Sequence, residues 1–259
     1  MKNYSTIHPL FMSFYSRSLY QDVGRNWRKI SFLYLLLLLA VCLIPETFRV
    51  WREVSAYLDQ EAPKVITQVP LITITKGKVV VDAAMPYVIK DPKTGTPLVI
   101  IDTSGKITSL TGSEASALLT DSTLFVRRNP TETRAFALSE IGDLVIDQSK
   151  LYEWTEIIKD NFIFVLYPLT LFFSFLFRTV QALVFAVIGT TFAKNLKLSL
   201  PFQAAVSLAI VAMTPSLILS VVFSTLGLTT SLWWLISFLV SLGYLFFAIK
   251  AQSEDQTVA

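Results

Sequence analysis

Histidine and cysteine are nearly missing from this 259-residue chain, which has one of each, His8 and Cys42. A single cysteine excludes an internal disulfide and any metal site built on thiolate pairs. A single histidine, in the N-terminal stretch, leaves Ser–His–Asp and Cys–His catalysis dependent on His8 alone. Charge is also sparse: 16% of residues, with a net +3. No basic stripe with interleaved aromatics occurs, so a nucleic-acid partner is not expected. No residue pattern asks for a cofactor or a metal.

Apolar residues are abundant, at 53% of the chain, with a mean hydropathy of +0.56. Soluble domains hold about 45–50%. The excess is segregated into long runs, which signals membrane spans rather than a richer core. The first run, Ile30 to Ile44, ends at Pro45 between Trp27 and Trp51, and Phe48 and Val50 extend it to spanning length. It reads as an uncleaved anchor, since twenty-nine residues lead into it and no small-x-small cleavage site follows. The second run, Phe162 to Phe192, is interrupted once, by Arg178. The third, about Ala204 to Leu226, holds Thr214-Pro215, and the fourth runs from Leu232 to Ile249. A rival reading splits the second run at Arg178 and gives five spans.

Basic residues set the direction. Lys2, Arg17, Arg25, Arg28 and Lys29 face only Asp22 in the first stretch. Lys194 and Lys197 lie between spans two and three, and Lys250 follows span four. With four spans these places share one side, and the positive-inside rule puts both termini in the cytoplasm. Glu46 to Asp160 carries thirteen Lys/Arg against sixteen Asp/Glu, a balance suited to a translocated domain. The expected fold is therefore a membrane α-helical bundle of four transmembrane helices with an inserted extracytoplasmic α+β domain. Its divisions are 1–29 (cytoplasmic tail with an interfacial helix), 30–52 (span one), 53–160 (the external domain), 161–193 (span two) and 194–203 (cytoplasmic loop). Residues 204–227 and 228–250 form spans three and four, and 251–259 a cytoplasmic tail.

Within the external segment, Leu71–Thr75 and Lys78–Asp82 flank a Lys76-Gly77 turn and predict a hairpin. Tyr87–Lys90, Leu98–Asp102 and Ile107–Leu110 continue a predicted antiparallel β-meander, with turns at Asp91-Pro92 and Ser104-Gly105. Ser113–Leu119 predicts a short helix, Thr123–Arg127 and Arg134–Leu138 further strands, and Asp147–Asp160 an amphipathic helix leading into span two.

Several runs invite functional readings. Asp91-Pro92-Lys93-Thr94-Gly95 is close to the phosphorylated loop of cation pumps, but Pro92 breaks the spacing and a turn explains it better. Ile100-Ile101-Asp102-Thr103-Ser104-Gly105 is close to an aspartic-protease loop, which needs a second carboxylate to share a proton; a strand end followed by a turn is favoured. Arg178 is the sharpest polar feature, with Ser174 and Gln181 on the same helical face. It reads as a snorkelling side chain reaching the cytoplasmic headgroups, as a polar contact inside the bundle, or as part of a substrate or ion path. Thr214-Pro215 predicts a kink in span three. Phe11, Tyr15, Leu19, Val23 and Trp27, at four-residue steps, predict a helix on the inner membrane surface or one packed on the Lys194 loop.

Some of these pieces in order resemble a known family. They are Phe11-Met12-Ser13-Phe14-Tyr15-Ser16, Ile44-Pro45, Thr73-Ile74-Thr75-Lys76-Gly77-Lys78, Ile89-Lys90-Asp91-Pro92, Ile100 to Lys106 and Ala212-Met213-Thr214-Pro215. Together they resemble the bacterial domain of unknown function 1189 family, over essentially the whole chain. The resemblance implies a multi-pass protein of the bacterial cytoplasmic (inner) membrane and brings no catalytic residues. Some relatives carry a maltodextrin-utilisation label. The leading expectation is a non-enzymatic sensor, scaffold or accessory factor whose partners are the lipid bilayer and other envelope proteins. The alternatives are a transporter or transporter accessory, maltodextrin-related and working with a transport complex through the polar face of transmembrane helix 2, and a membrane hydrolase built on Asp102.

Overall fold

A computed structural model describes residues 4–228 and 230–256, the last three as backbone only. Lys2 and residues 257–259 of the C-terminal tail lie outside the described residues. The chain folds as two compact units, residues 1–50 with 163–259, and Trp51–Phe162.

The first unit is helical. Two short helices, α1 (Pro9–Met12) and α2 (Arg17–Asn26), precede α3 (Ile30–Gln60), whose residues from Trp51 on belong to the second unit, as does the short α4 (Ala62–Ile66). Helix α5 (Gln148–Asn195) starts in the second unit and returns the chain to the first, where α6 (Phe202–Ala212), α7 (Thr214–Thr225) and α8 (Trp233–Gln256) follow. Among the described residues, four helical stretches are long and apolar enough to cross a membrane: Ile30–Ile66, Gln148–Asn195, Phe202–Thr225 and Trp233–Ser253. Helix α5 runs unbroken through Arg178, with Pro168 inside it, so the structure offers no break at Arg178 for a five-span reading. The third stretch is the most enclosed. It is two helices end to end, because Pro215 has no N–H for the Val211 carbonyl and stands instead in the first turn of α7, where no donor is needed.

Helix α2 starts at Ser16, whose Oγ accepts from the Leu19 N–H at 3.3 Å. The four-residue series from Phe11 to Trp27 is not one face. Residues 13–16 interrupt the helix, so Leu19, Val23 and Trp27 are fully buried while Phe11 and Tyr15 are exposed. The buried side chains join a core with Tyr34, Phe185, Leu208, Met213 and Leu245.

Hydroxyl pairs tie these helices together: Ser31 with Ser207 at 3.1 Å, Tyr34 with Thr214 at 2.8 Å, Ser216 with Ser241 at 2.7 Å. Trp233 Nε1 donates to Ser220 Oγ at 2.9 Å, and Ser224 Oγ to Glu46 at 3.2 Å. Apolar burial does not distinguish a helix neighbour from lipid, so such bonds and close packing of small residues hold helices together in a bilayer, each worth about 0.6–2 kcal/mol.

The second unit holds β1 (Ile72–Thr75), β2 (Lys78–Val81), β3 (Tyr87–Lys90), β4 (Pro97–Ile101), β5 (Ala117–Leu119), β6 (Thr123–Asn129), β7 (Glu132–Ala137) and β8 (Leu144–Ile146). They form a three-stranded sheet, β2-β1-β8, and a five-stranded sheet, β3-β4-β5-β6-β7. The predicted hairpin is present, with Thr75 opposite Lys78. Lys76 and Gly77 both have positive φ, 50° and 76°, the conformation a two-residue hairpin turn demands. Asparagine tolerates this region better than lysine, so Lys76→Asn is expected to stabilise the unit by about 0.5–1 kcal/mol. A thermal melt of the full-length protein, in which only the second unit shifts upward, checks it.

The meander is corrected. Strands β4 and β5 are parallel, Val99 opposite Ala117, joined by a crossover through residues 102–116. Ser113–Leu119 is not a helix: seven residues cannot nucleate one against strands β4 and β6, which offer β5 hydrogen bonds on both sides. Ile107–Leu110 is not a strand: the Ile107 N–H is taken by Asp102, and the segment packs over β4 and β5 through side chains instead of pairing with either sheet. The five-stranded sheet is apolar on both faces. Ile89, Ile101 and Leu119 pack with Ile72, Ile74 and Val79 of the smaller sheet. Ile100 and Leu118, on the other face, are covered by Leu110 and Ala115 of the crossover.

Candidate functional sites

Arg178 and Gln181 are brought together in the helical unit. Both are half-buried on α5, and Arg178 Nη1 donates to Gln181 Oε1 at 2.6 Å. The guanidinium also lies 5.8 Å from the Phe177 ring centre. Ser174, one turn earlier, shares the side of the helix but bonds to neither among the described residues. Sixteen residues of continuous helix, about 24 Å, separate Arg178 from Lys194. Arg178 pairs with no carboxylate among the described residues. The neighbouring Thr179 Oγ1 is buried without a hydrogen-bond partner there.

Thr214 and Pro215 sit elsewhere in the bundle, fully enclosed. Thr214 is the partner of the Tyr34 hydroxyl, and Pro215 opens α7. Their role in the fold is a joint: the Met213 N–H still bonds to Ala209 and the Leu217 N–H to Met213, so the chain carries on past the proline with one donor fewer.

In the second unit the sequence singled out two aspartates, and both turn their carboxylates into their own loops. Asp91 Oδ1 accepts from the Lys93 N–H at 2.7 Å and the Thr94 N–H at 3.2 Å, closing the β3–β4 turn. Those backbone bonds hold its carboxyl below the usual range. Asp102 is fully buried at the end of β4. Its Oδ1 accepts from Ser104 Oγ at 2.5 Å and Ser104 N at 2.9 Å, and its Oδ2 from Ile107 N at 2.5 Å. The Ser104 hydroxyl first, then the backbone of Ile107, Ser104 and Lys106, holds its carboxyl below the usual range against the opposing cost of burial. An ionised carboxylate whose lone pairs are spent on its own loop is a staple for residues 103–107.

Beside that staple lies a feature the sequence reading missed, an open cleft of about 390 Å³ at the carboxyl ends of β4 and β5. Thr103, Thr108, Thr120, Asp121, Thr123 and Phe125 line it. Clefts beyond the carboxyl ends of parallel strands are where α/β sheets bind ligands. The lining is rich in hydroxyls, with one aromatic ring and the Asp121 carboxylate, which Lys78 Nζ holds at 2.7 Å and keeps below the usual carboxylate range. Such a wall offers short-range hydrogen bonds to a polar, uncharged surface. The signal that could have found it is the Asp-Thr-Ser-Gly run, which the sequence reading took as an ordinary turn.

The family described as "Protein of unknown function (DUF1189)" matches residues 7–249. No curated protein and no solved structure matches the chain.

Proposed function

The chain belongs to this family of proteins of unknown function, and we propose that it is a non-enzymatic, multi-pass protein of the bacterial cytoplasmic membrane that binds an envelope partner through its inserted α+β unit. The observation that carries the reading is the cleft at the ends of β4 and β5, floored by a loop whose buried aspartate is already committed. The site is thus shaped to bind rather than to move protons. The distribution of basic residues supports an outward placement of that unit and inward termini, with Lys194, Lys197 and Lys250 on the cytoplasmic side.

The test is photo-crosslinking in intact membranes, with the photoreactive residue at Thr108 in the cleft or at the exposed Val145 on β8, the edge of the smaller sheet opposite β2. A discrete adduct with an envelope protein from Thr108 and none from Val145 is expected. Adducts identical at both positions, or at neither, end the proposal.

A second reading, a transporter or transporter accessory, draws on the half-buried Arg178–Gln181 pair and the two-piece helix Phe202–Thr225. A charged residue kept in a span costs about 2.5–3.5 kcal/mol on insertion scales and is characteristic of function. Arg178→Leu is therefore expected to leave the protein folded at least as stably, measured by melting in detergent, while abolishing uptake. Solute uptake unchanged by that substitution across a broad panel, maltodextrins included, removes this reading.

A further inference from the structure

We propose that residues Tyr4–Trp27 form a re-entrant hairpin, dipping into the lipid leaflet that holds the Lys250 end of α8, with Ile7, Phe11 and Tyr15 among the acyl chains. This rests on the helical unit being embedded in a membrane, and not on which way it faces.

Helix α8 supplies a depth scale. Gln252 Nε2 donates to the Tyr20 carbonyl at 2.7 Å, and Gln21 Nε2 to the Ala251 carbonyl at 3.0 Å. Gly24 lies so close to Gln252 that an added Cβ would stand 2.8 Å from its Oε1. Going back along the chain, Tyr20 meets Phe247 at 5.8 Å and Phe14 meets Tyr244 at 6.2 Å between ring centres. The segment therefore climbs α8 away from its end. Tyr244 is six helical residues, about 9 Å, inside Lys250. Helix α1 lies against α7, whose first residue is twelve residues, about 18 Å, from the start of α6. Tyr4 then brings the other limb back: its hydroxyl meets Ser18 at 2.9 Å and its N–H donates to Asp22 at 3.3 Å.

A second observation agrees. Irregular backbone survives at membrane depth only if its polar groups are satisfied within the protein. At the tip, Met12 N donates to His8 O at 2.9 Å, Ser16 N to Met12 O at 2.8 Å, and Tyr20 Oη to Ser13 O at 2.7 Å. Yet Ile7, Phe11 and Tyr15 are exposed by 64–70%. Inward-facing polar backbone and outward-facing apolar side chains are what a lipid surround requires. Facing water, the same tip would expose three large apolar side chains together.

The single cysteine makes the test clean. In a Cys42→Ala background, a nitroxide is attached at Phe11→Cys, Tyr15→Cys, Phe246→Cys or Lys250→Cys, and the full-length protein is placed in phosphatidylcholine–phosphatidylglycerol vesicles. Collision with oxygen relative to a water-soluble nickel complex reads depth. At positions 11 and 15 the ratio is expected to match that at 246 and to exceed that at 250 several-fold. Ratios at 11 and 15 equal to that at 250, with 246 lipid-like, overturn the hairpin and leave the membrane reading standing. A water-like ratio at 246 as well overturns both.

Discussion

Asp102→Ala is expected to loosen the crossover of the second unit and to cost about 1–3 kcal/mol, because it removes the acceptor that two part-buried backbone N–H groups and a hydroxyl share. Ser104 and Ile107 each give a backbone N–H to this carboxylate, and Ser104 gives its hydroxyl. The loop they fix carries Leu110 and Ala115, the lid over Ile100 and Leu118, so the loss spreads into a core. Asp102→Asn should fare little better: its amide oxygen can serve Ser104, but its NH₂ then faces the Ile107 N–H, donor against donor. The readout is amide exchange at residues 104–107 together with protease cleavage in the full-length protein. Wild-type protection in Asp102→Ala would show that the staple is dispensable. The sign of the pH effect follows from the lowered carboxyl pKa. Stability contributed by a carboxylate depressed in the folded state is complete above the unfolded value of about 3.9 and is lost as pH falls through the folded value. Crossover protection should therefore hold through mildly acidic buffer and fail only below that range. In Asp102→Ala it should show no such acid step.

Gly77→Ala carries the second large effect. Gly77 has φ +76°, and an added Cβ would stand 2.8 Å from the Ser139 Cα and 2.9 Å from its N. Ser139 belongs to the 3-10 turn Leu138–Glu140, whose Leu138 is buried in the core between the sheets. The clash is with backbone, so no rotamer relieves it. Left-handed strain alone costs about 1–2 kcal/mol, and displacing the turn should bring the total to roughly 3 kcal/mol. Gly105→Ala is the matched control: its φ is +79° with nothing within 4 Å of the new methyl. Thermal melts should show Gly77→Ala distinctly lower than Gly105→Ala. Equal losses would mean that the close approach of the hairpin to Ser139 is unimportant.

What was legible in the sequence follows the range of each interaction. The apolar stretches were plain because length and segregation are local properties, and the Lys76-Gly77 hairpin was plain because two residues fix its turn. Asp91 and Asp102 were read correctly as turn residues, since their partners lie within five positions. The parallel pairing of Val99 with Ala117 was not, because eighteen residues separate them and no turn residue announces it. The cleft at its end went unread with it: the Asp-Thr-Ser-Gly run marks one wall, and only the parallel pairing brings Thr120 to Thr123 beside it. Strand β8, three residues long, pairs with β1 some seventy positions earlier, and nothing in Leu144–Ile146 alone indicates it. In the N-terminal segment a four-residue series suggested one helical face, but Ser13 to Ser16 break the helix, and the half before the break turns outward. Arg178 stood out as a charge in an apolar run, and Gln181 was placed on its face by helical spacing alone.

The proposed orientation sets the unit Trp51–Phe162 and the α5–α6 loop on opposite sides of the membrane. Sided labelling in intact cells tests it most directly, using a membrane-impermeant maleimide on Cys42→Ala proteins carrying Thr94→Cys or Asn195→Cys. Thr94 is exposed in the β3–β4 turn and Asn195 ends α5. The Thr94→Cys protein should be labelled in intact cells, and the Asn195→Cys protein only after the membrane is opened. Labelling of both in intact cells, or of Asn195→Cys alone, would contradict it.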